Sequence, residues 1–234
     1  MAALPPSPLR AATIGLDDAM LPSGLQAGDV FHFVFLTPTR FDRTDEPHGP
    51  GDISYYNNIV NGVAANSSIQ LVRDLQWSAI VSVDGGNGNF VHARDNALVT
   101  GSVHLLDSGG TMVASGFADL WDGSILTPII VGESGQLVAL GGGTDTGRVW
   151  TGSNGDGTAN TSWPLGRDAA AITGIARPNE LGGNWINNGA AARRGTSTSL
   201  FYYALSEPIT VVPEPSKALL FVFGALTLAL RRRR

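Results

Sequence analysis

The last seventeen residues constrain this chain more than any other stretch. Ala218–Leu230 runs for thirteen residues without a charge, and Arg231–Arg234 follow directly. As a helix the run would span about 20 Å at 1.5 Å per residue. That is short of the ~30 Å hydrocarbon core of a bilayer, which takes about 20 residues to cross. Length alone therefore fits a buried core helix, but composition does not. A core helix carries an apolar stripe and a polar face, whereas this run is Leu, Phe, Val, Ala and Gly with one Thr. Four adjacent guanidiniums cannot follow it into an interior. An apolar plug with a cationic stop is the pattern of a membrane end anchor. Val211, Val212 and a snorkelling Lys217 would lengthen it. The chain thus divides into a body that folds and a tail addressed to a membrane.

Ahead of the plug stands Val212-Pro213-Glu214-Pro215-Ser216-Lys217. Two prolines flanking one residue hold an extended strip that cannot be helical, which is backbone a processing enzyme can grip. The order of Val-Pro-Glu-Pro-Ser, short apolar run and terminal arginine cluster, over Val212–Arg234, resembles the PEP-CTERM sorting signal of exported bacterial proteins. The resemblance implies that Pro213, Glu214 and Pro215 are recognised by an exosortase, a membrane protease-like enzyme. It also implies that Arg231, Arg232, Arg233 and Arg234 are the basic stop, and that the protein reaches the cell envelope or the extracellular matrix. Export needs a leader with an apolar run of ~7–15 residues. Met1–Leu25 contains Pro5, Pro6, Pro8, Arg10, Asp17 and Asp18, and no uninterrupted apolar run of seven. The expectation is a misplaced gene start or a leader upstream of Met1.

Charge and composition narrow the body. The net charge is −5, yet without the last four arginines 11 basic residues face 20 acidic ones. Such a body lacks the counterion-releasing surface that nucleic-acid binding requires. The absence of cysteine excludes disulfides, cysteine zinc sites, iron–sulfur clusters and thiol nucleophiles.

No repeat of period ~20–50 is evident. Phe31–Leu36 is aromatic and β-branched and reads as a strand. Asp52–Ala65 places Ile53, Tyr56, Ile59 or Val60, and Val63 on one helical face, with Asp52 as N-cap. Leu75–Val83 reads as a second strand, closed by Asp84–Asn89. Phe90–Val99 fits either a short helix or an extended segment. Val103–Leu106 and Thr111–Ala114 flank Asp107-Ser108-Gly109-Gly110, a hairpin signal. Short apolar pieces follow between Gly-rich turns, among them Arg148–Thr151, Phe201–Leu205 and Ile209–Val212. The predicted organisation is a flexible segment over 1–27, a loop-rich α+β domain with one or two short helices over 28–208, a Pro-Glu-Pro linker over 209–217, the anchor over 218–230 and the basic tail over 231–234.

Several pieces of the body together resemble secreted bacterial domains with the endostatin and C-type-lectin-like layout. They are Leu75–Ile80, Ala93–Ala97, Ala118–Gly123, Thr127–Ile129, Val149–Ser153 and Tyr203–Ser206. The resemblance implies an early helix leading to a strand with a core Trp, then a Trp-Asp-Gly turn, a Trp-Thr-Gly strand, a long loop, and a final strand returning beside the first. Most of the five tryptophans (Trp77, Trp121, Trp150, Trp163, Trp185) are expected in the core, with some free to stack on sugars.

Chemical signatures are sparse. His32, His48, His92 and His104 make no His-Glu-x-x-His, no Gly-x-Ser-x-Gly elbow occurs, and the glycine clusters lack a phosphate-loop lysine. Asp119 and Asp122 flank Trp121, but Asp-Gly after Trp is more simply a turn than a carboxylate pair. Asn154 and Asp156 sit among glycines in a loop of the kind that can wrap calcium, the one cofactor the sequence suggests. Arg177-Pro178-Asn179-Glu180 and Trp185-Ile186-Asn187 resemble the sugar site of calcium-dependent lectins, which points to Asn179, Glu180, Trp185 and Asn187 as ligand-binding residues. In that resemblance Arg177 occupies the place of an acidic ligand. The expected function is therefore a non-catalytic structural or adhesive exported protein, with a lectin-like carbohydrate-binding module as the alternative and exopolysaccharide as its partner.

Overall fold

Phe31–Leu36 is a nearly unbroken apolar run, and a strand of that composition belongs where both faces are covered. A computed structural model, which describes residues 12–15, 20–42, 51–141, 147–166, 173–187, 193–194 and 198–213, puts it there. Along the chain come β1 (Ala12–Gly15), β2 (Val30–Leu36), β3 (Phe41–Asp42), α1 (Ile53–Ala64), α2 (Gln70–Asp74), β4 (Trp77–Ala79), β5 (Val83–Asp84), β6 (Phe90–Val91), α3 (Ala93–Asn96), β7 (Ser102–Leu105), β8 (Met112–Ala114) and α4 (Phe117–Leu120). Then follow β9 (Val149–Trp150), β10 (Thr173–Ala176), β11 (Arg193–Arg194), β12 (Ser199–Leu200), β13 (Tyr203–Ser206) and β14 (Ile209–Val212). The fold is α+β, mostly sheet with a few short helices.

β2 is the centre of the main sheet. β7 runs parallel along one side of it, with Phe31 opposite Ser102, and β8 folds back antiparallel on β7. Along its other side β13 and β14 lie in line, both antiparallel to β2. Leu205 faces Val34 while Ile209 faces Phe31, so four steps on one strand match three on the other. The extra residue is a bulge at Glu207–Pro208, where proline's missing N–H costs no ladder bond. Two histidines sit inside this sheet. His32 is fully buried, its Nδ1 2.8 Å from the Ser206 carbonyl, while the Thr100 N–H donates to its Nε2 at 3.0 Å. His104 lies against the Gly110 carbonyl and the Ser102 hydroxyl.

β4 is a sheet edge, and its open side is closed by side chains. In α1, Asp52 caps the N-terminus by accepting from the Ser54 N–H at 2.9 Å, and Tyr56, Val60 and Ala64 are buried at the helical spacing. Two half-buried positions on the side facing β4 are asparagines. Asn61 donates to the Trp77 carbonyl at 2.6 Å and accepts from the Trp77 N–H at 3.0 Å. Asn57 accepts from the Ala79 N–H at 2.8 Å, and Asn96 of α3 donates to the Ala79 carbonyl at 2.8 Å. Amide side chains thus stand in for a neighbouring strand, satisfying backbone groups that an edge would leave open. Trp77 also donates through its indole N–H to Val72 of α2 at 2.9 Å and packs edge-on against Phe35.

Several boundaries differ from those the sequence suggested. Ala12–Gly15, expected in a flexible segment, pairs parallel with Ile209–Val212, expected in a linker. Each strand is too short to announce itself, and each is stable only beside the other. The folded unit therefore runs past residues 28 and 208 at both ends. Four short helices occur among the described residues, against one or two expected, because single turns such as α3 and α4 leave no periodic trace. Leu75–Val83 divides into β4 and β5. Glu214, Pro215, the run over 218–230 and Arg231–Arg234 lie outside the described residues, and no helix among the described residues is long and apolar enough to cross a membrane.

Candidate functional site

The second sheet builds a cleft. β9 and β10 pair antiparallel, with Trp150 opposite Ile175 and Val149 opposite Ala176. One step further the same register sets Arg148 opposite Arg177, a placement that opposes two like charges. The backbone holds both. Phe201 donates to the Arg148 carbonyl at 3.1 Å and accepts from the Trp150 N–H at 3.0 Å. The Arg177 N–H donates to Asn184 at 2.8 Å, and a turn returns the Glu180 N–H to the Arg177 carbonyl at 3.2 Å. Pro178 favours that turn by fixing φ at its second position.

Arg148, Arg177, Asn179, Glu180, Leu140, Gly141 and Gly147 line a cleft of about 380 Å³. Arg148 is only 8% exposed. Burial, and then the neighbouring Arg177 charge, lower its pKa from the usual arginine value; a guanidinium stays protonated nonetheless. Glu180 Oε1 lies 3.5 Å from Arg177 Nη1, and both side chains are about two-fifths exposed, so this pair contributes little to stability. Arg40 stands beside Leu140. It donates to the Leu140 carbonyl at 3.1 Å and lies over the Phe201 ring at 5.2 Å. Among the described residues, the charged groups lining the cleft are Arg148, Arg177 and Glu180.

The ligand set suggested by the sequence divides. Asn179 and Glu180 line the cleft. Trp185 does not: it is fully buried, 6.2 Å from the Trp121 ring and 5.9 Å from Tyr203, whose hydroxyl donates to the Trp185 carbonyl at 2.9 Å. It is core, as are Trp77, Trp121 and Trp150, and none of these four can stack on an external sugar. Asn187 closes the 3-10 turn Gly183–Trp185 by donating its N–H to Gly183 at 2.9 Å, and it does not line the cleft.

The glycine-rich loop is closed on itself. Asn154 donates to the Thr158 hydroxyl at 3.0 Å and the Ala159 carbonyl at 3.1 Å. Asp156 accepts from the Thr158 hydroxyl at 2.6 Å, which lowers its pKa against the opposing effect of burial, with the Arg94 charge acting in the same lowering sense. Its other oxygen faces Arg94 at 3.9 Å. Among the described residues no three His, Asp or Glu gather as a metal site. Asp119 accepts from the Ser115 N–H at 2.6 Å, and Asp122 from the Ser124 N–H and hydroxyl, each at 2.8 Å, so both carboxylates serve turns.

Sequence reasoning missed Arg148. The signal was present as mirror images, Arg-Val-Trp at 148–150 and Ile-Ala-Arg at 175–177, which an antiparallel pair brings together. No protein-family model matches the chain, and no curated protein matches it as a relative.

Proposed function

We propose that this chain is an exported, non-catalytic protein of the cell envelope or extracellular matrix, structural or adhesive, whose tail is read by an exosortase-type enzyme. The observation that carries the reading is the exposed residue that follows β14. β14 keeps Ile209 and Val211 buried in the sheet, and the next residue after Val212 is an exposed Pro213. Pro213, the first residue of the Pro-Glu-Pro motif, thus stands exposed at the end of β14. In the proposed layout the body is lectin-like and endostatin-like. Supporting this are α1 ahead of a strand bearing buried Trp77, the turn at Trp121–Gly123, Trp150 leading into Thr151-Gly152, and β13–β14 returning beside β2. Fractionation of cells expressing the full-length gene tests the sorting role. Glu214→Ala and deletion of Arg231–Arg234 should each leave the chain unprocessed or mislocalised, and unchanged delivery of both would refute it.

The cleft favours a second reading, a carbohydrate-binding module for exopolysaccharide. A glycan array run with and without calcium tests it, and silence under both conditions removes it.

A further inference from the structure

We propose that Asn87-Gly88, at the tip of the β5–β6 hairpin, is a site of spontaneous backbone modification, where asparagine cyclises onto the next residue's nitrogen and reopens as aspartate or isoaspartate. Asn followed by Gly is the pair in which this attack is least hindered, because glycine has no Cβ to shield its nitrogen. The sequence holds four such pairs, at 61–62, 87–88, 154–155 and 188–189. The last lies outside the described residues. The other three are held differently. Asn61 lies within α1, and its side chain bonds the Asn57 carbonyl and both backbone groups of Trp77. Asn154 donates to the Thr158 hydroxyl and the Ala159 carbonyl. Asn87 and Gly88 are exposed, and neither the Asn87 amide nor the Gly88 N–H has a hydrogen-bond partner among the described residues. The turn closes around them. The Asn89 N–H donates to the Gly86 carbonyl at 3.0 Å, and φ is +55° at Asn87 and +79° at Gly88. Positive φ at both central positions marks the type I′ hairpin turn, for which Asn-Gly is the preferred pair. The chemistry that closes the hairpin thus leaves both reacting groups in water.

The steps balance without any cofactor. Solvent base takes the Gly88 amide proton, and the nitrogen attacks Asn87 Cγ. An N–Cγ bond forms, the Cγ–Nδ2 bond breaks, and the amide nitrogen leaves as ammonia. Water then opens the cyclic imide at either carbonyl. One opening gives aspartate; the other gives isoaspartate, with the main chain routed through the side-chain methylene. Both products add a carboxylate close to Asp84, whose Oδ1 accepts from the Gly86 N–H at 2.9 Å. Isoaspartate also lengthens the turn, which loosens the pairing of Val83 with Val91 and Asp84 with Phe90.

The test is incubation of the full-length chain in mildly alkaline buffer with nonionic detergent, followed by mass mapping at single-residue level. Asn87 should convert about tenfold or more faster than Asn61 or Asn154, the worth of a hydrogen bond those two must first release. Isoaspartate should be among the products. In urea the three sites should convert at similar rates, because the protection of Asn61 and Asn154 is lost with the fold. Asn87→Gly, which keeps the positive φ without the reactive amide, should abolish conversion at this turn. Equal rates at the three sites in the folded chain would overturn the proposal. So would aspartate as the sole product, which means direct hydrolysis without attack by Gly88, or a ranking that persists unchanged in urea.

Discussion

Replacing Asn61 by alanine isolates the amide bridge between α1 and the edge strand β4. The side chain makes three hydrogen bonds, to the Asn57 carbonyl at 2.7 Å and to both backbone groups of Trp77. Truncation leaves the Trp77 N–H and carbonyl without their partner in a half-buried position. Each such loss costs ~1–1.5 kcal/mol. Against this, alanine in a helix interior gains up to ~0.7 kcal/mol over asparagine. The net destabilisation is about 2 kcal/mol, or a melting-temperature drop of roughly 4–8 °C for a domain of this size. Asn58→Ala, three positions away and exposed on the same helix, collects only the propensity gain and should raise the melting temperature by a degree or two. Thermal denaturation followed by circular dichroism reads both. If the two variants melt together, α1 does not act as the missing neighbour of β4 and the reasoning fails.

Acid should weaken the fold through its buried histidines. Thr100 donates to His32 Nε2, so a second ring proton would point at an N–H, and burial holds the His32 and His104 pKa values below their ordinary range. The unfolded chain then takes up protons first. Stability is complete above about pH 6.5 and declines below it by up to ~1.4 kcal/mol per pH unit per histidine, until the lowered folded values are reached. Glu133, whose pKa burial raises, acts in the opposite sense at lower pH. A denaturation midpoint that stays flat from pH 7.5 to 5 would contradict this. Two glycines should respond oppositely to alanine. At Gly101 the added Cβ would lie 1.8 Å from the Val30 carbonyl oxygen, while at Gly62 in α1 it meets nothing within 4 Å. Gly101→Ala should cost about 3 kcal/mol or more and Gly62→Ala should gain ~0.5–1 kcal/mol; urea denaturation of the pair checks the contrast.

What could be read in advance was whatever depends on near neighbours. The β2 run and α1 with its Asp52 cap carry their own signals, a continuous apolar stretch and a 3.6-residue period. The hairpin of β7 and β8 is announced by its turn residues. β1 was illegible because Ala-Thr-Ile-Gly becomes a strand only when β14 arrives from nearly two hundred residues away. The amides of Asn57, Asn61 and Asn96 read as ordinary helix and turn polarity, since nothing local says which strand edge they meet. The cleft was half visible. Asn179 and Glu180 stood out through the resemblance to a lectin sugar site, but the mirror-image triplets that set Arg148 beside Arg177 gain meaning only once a two-residue strand is known to pair them. Trp185 was misassigned because burial of a lone aromatic is decided by long-range packing.

The claim on which the functional account turns is that the tail is an address removed after it is read. Intact-mass measurement of the protein recovered from the envelope or medium of cells expressing the full-length gene tests it directly. The account predicts a C-terminus at or near Pro213–Lys217, with Ala218–Leu230 and the four arginines gone. A recovered chain that still ends in Arg234 would contradict it.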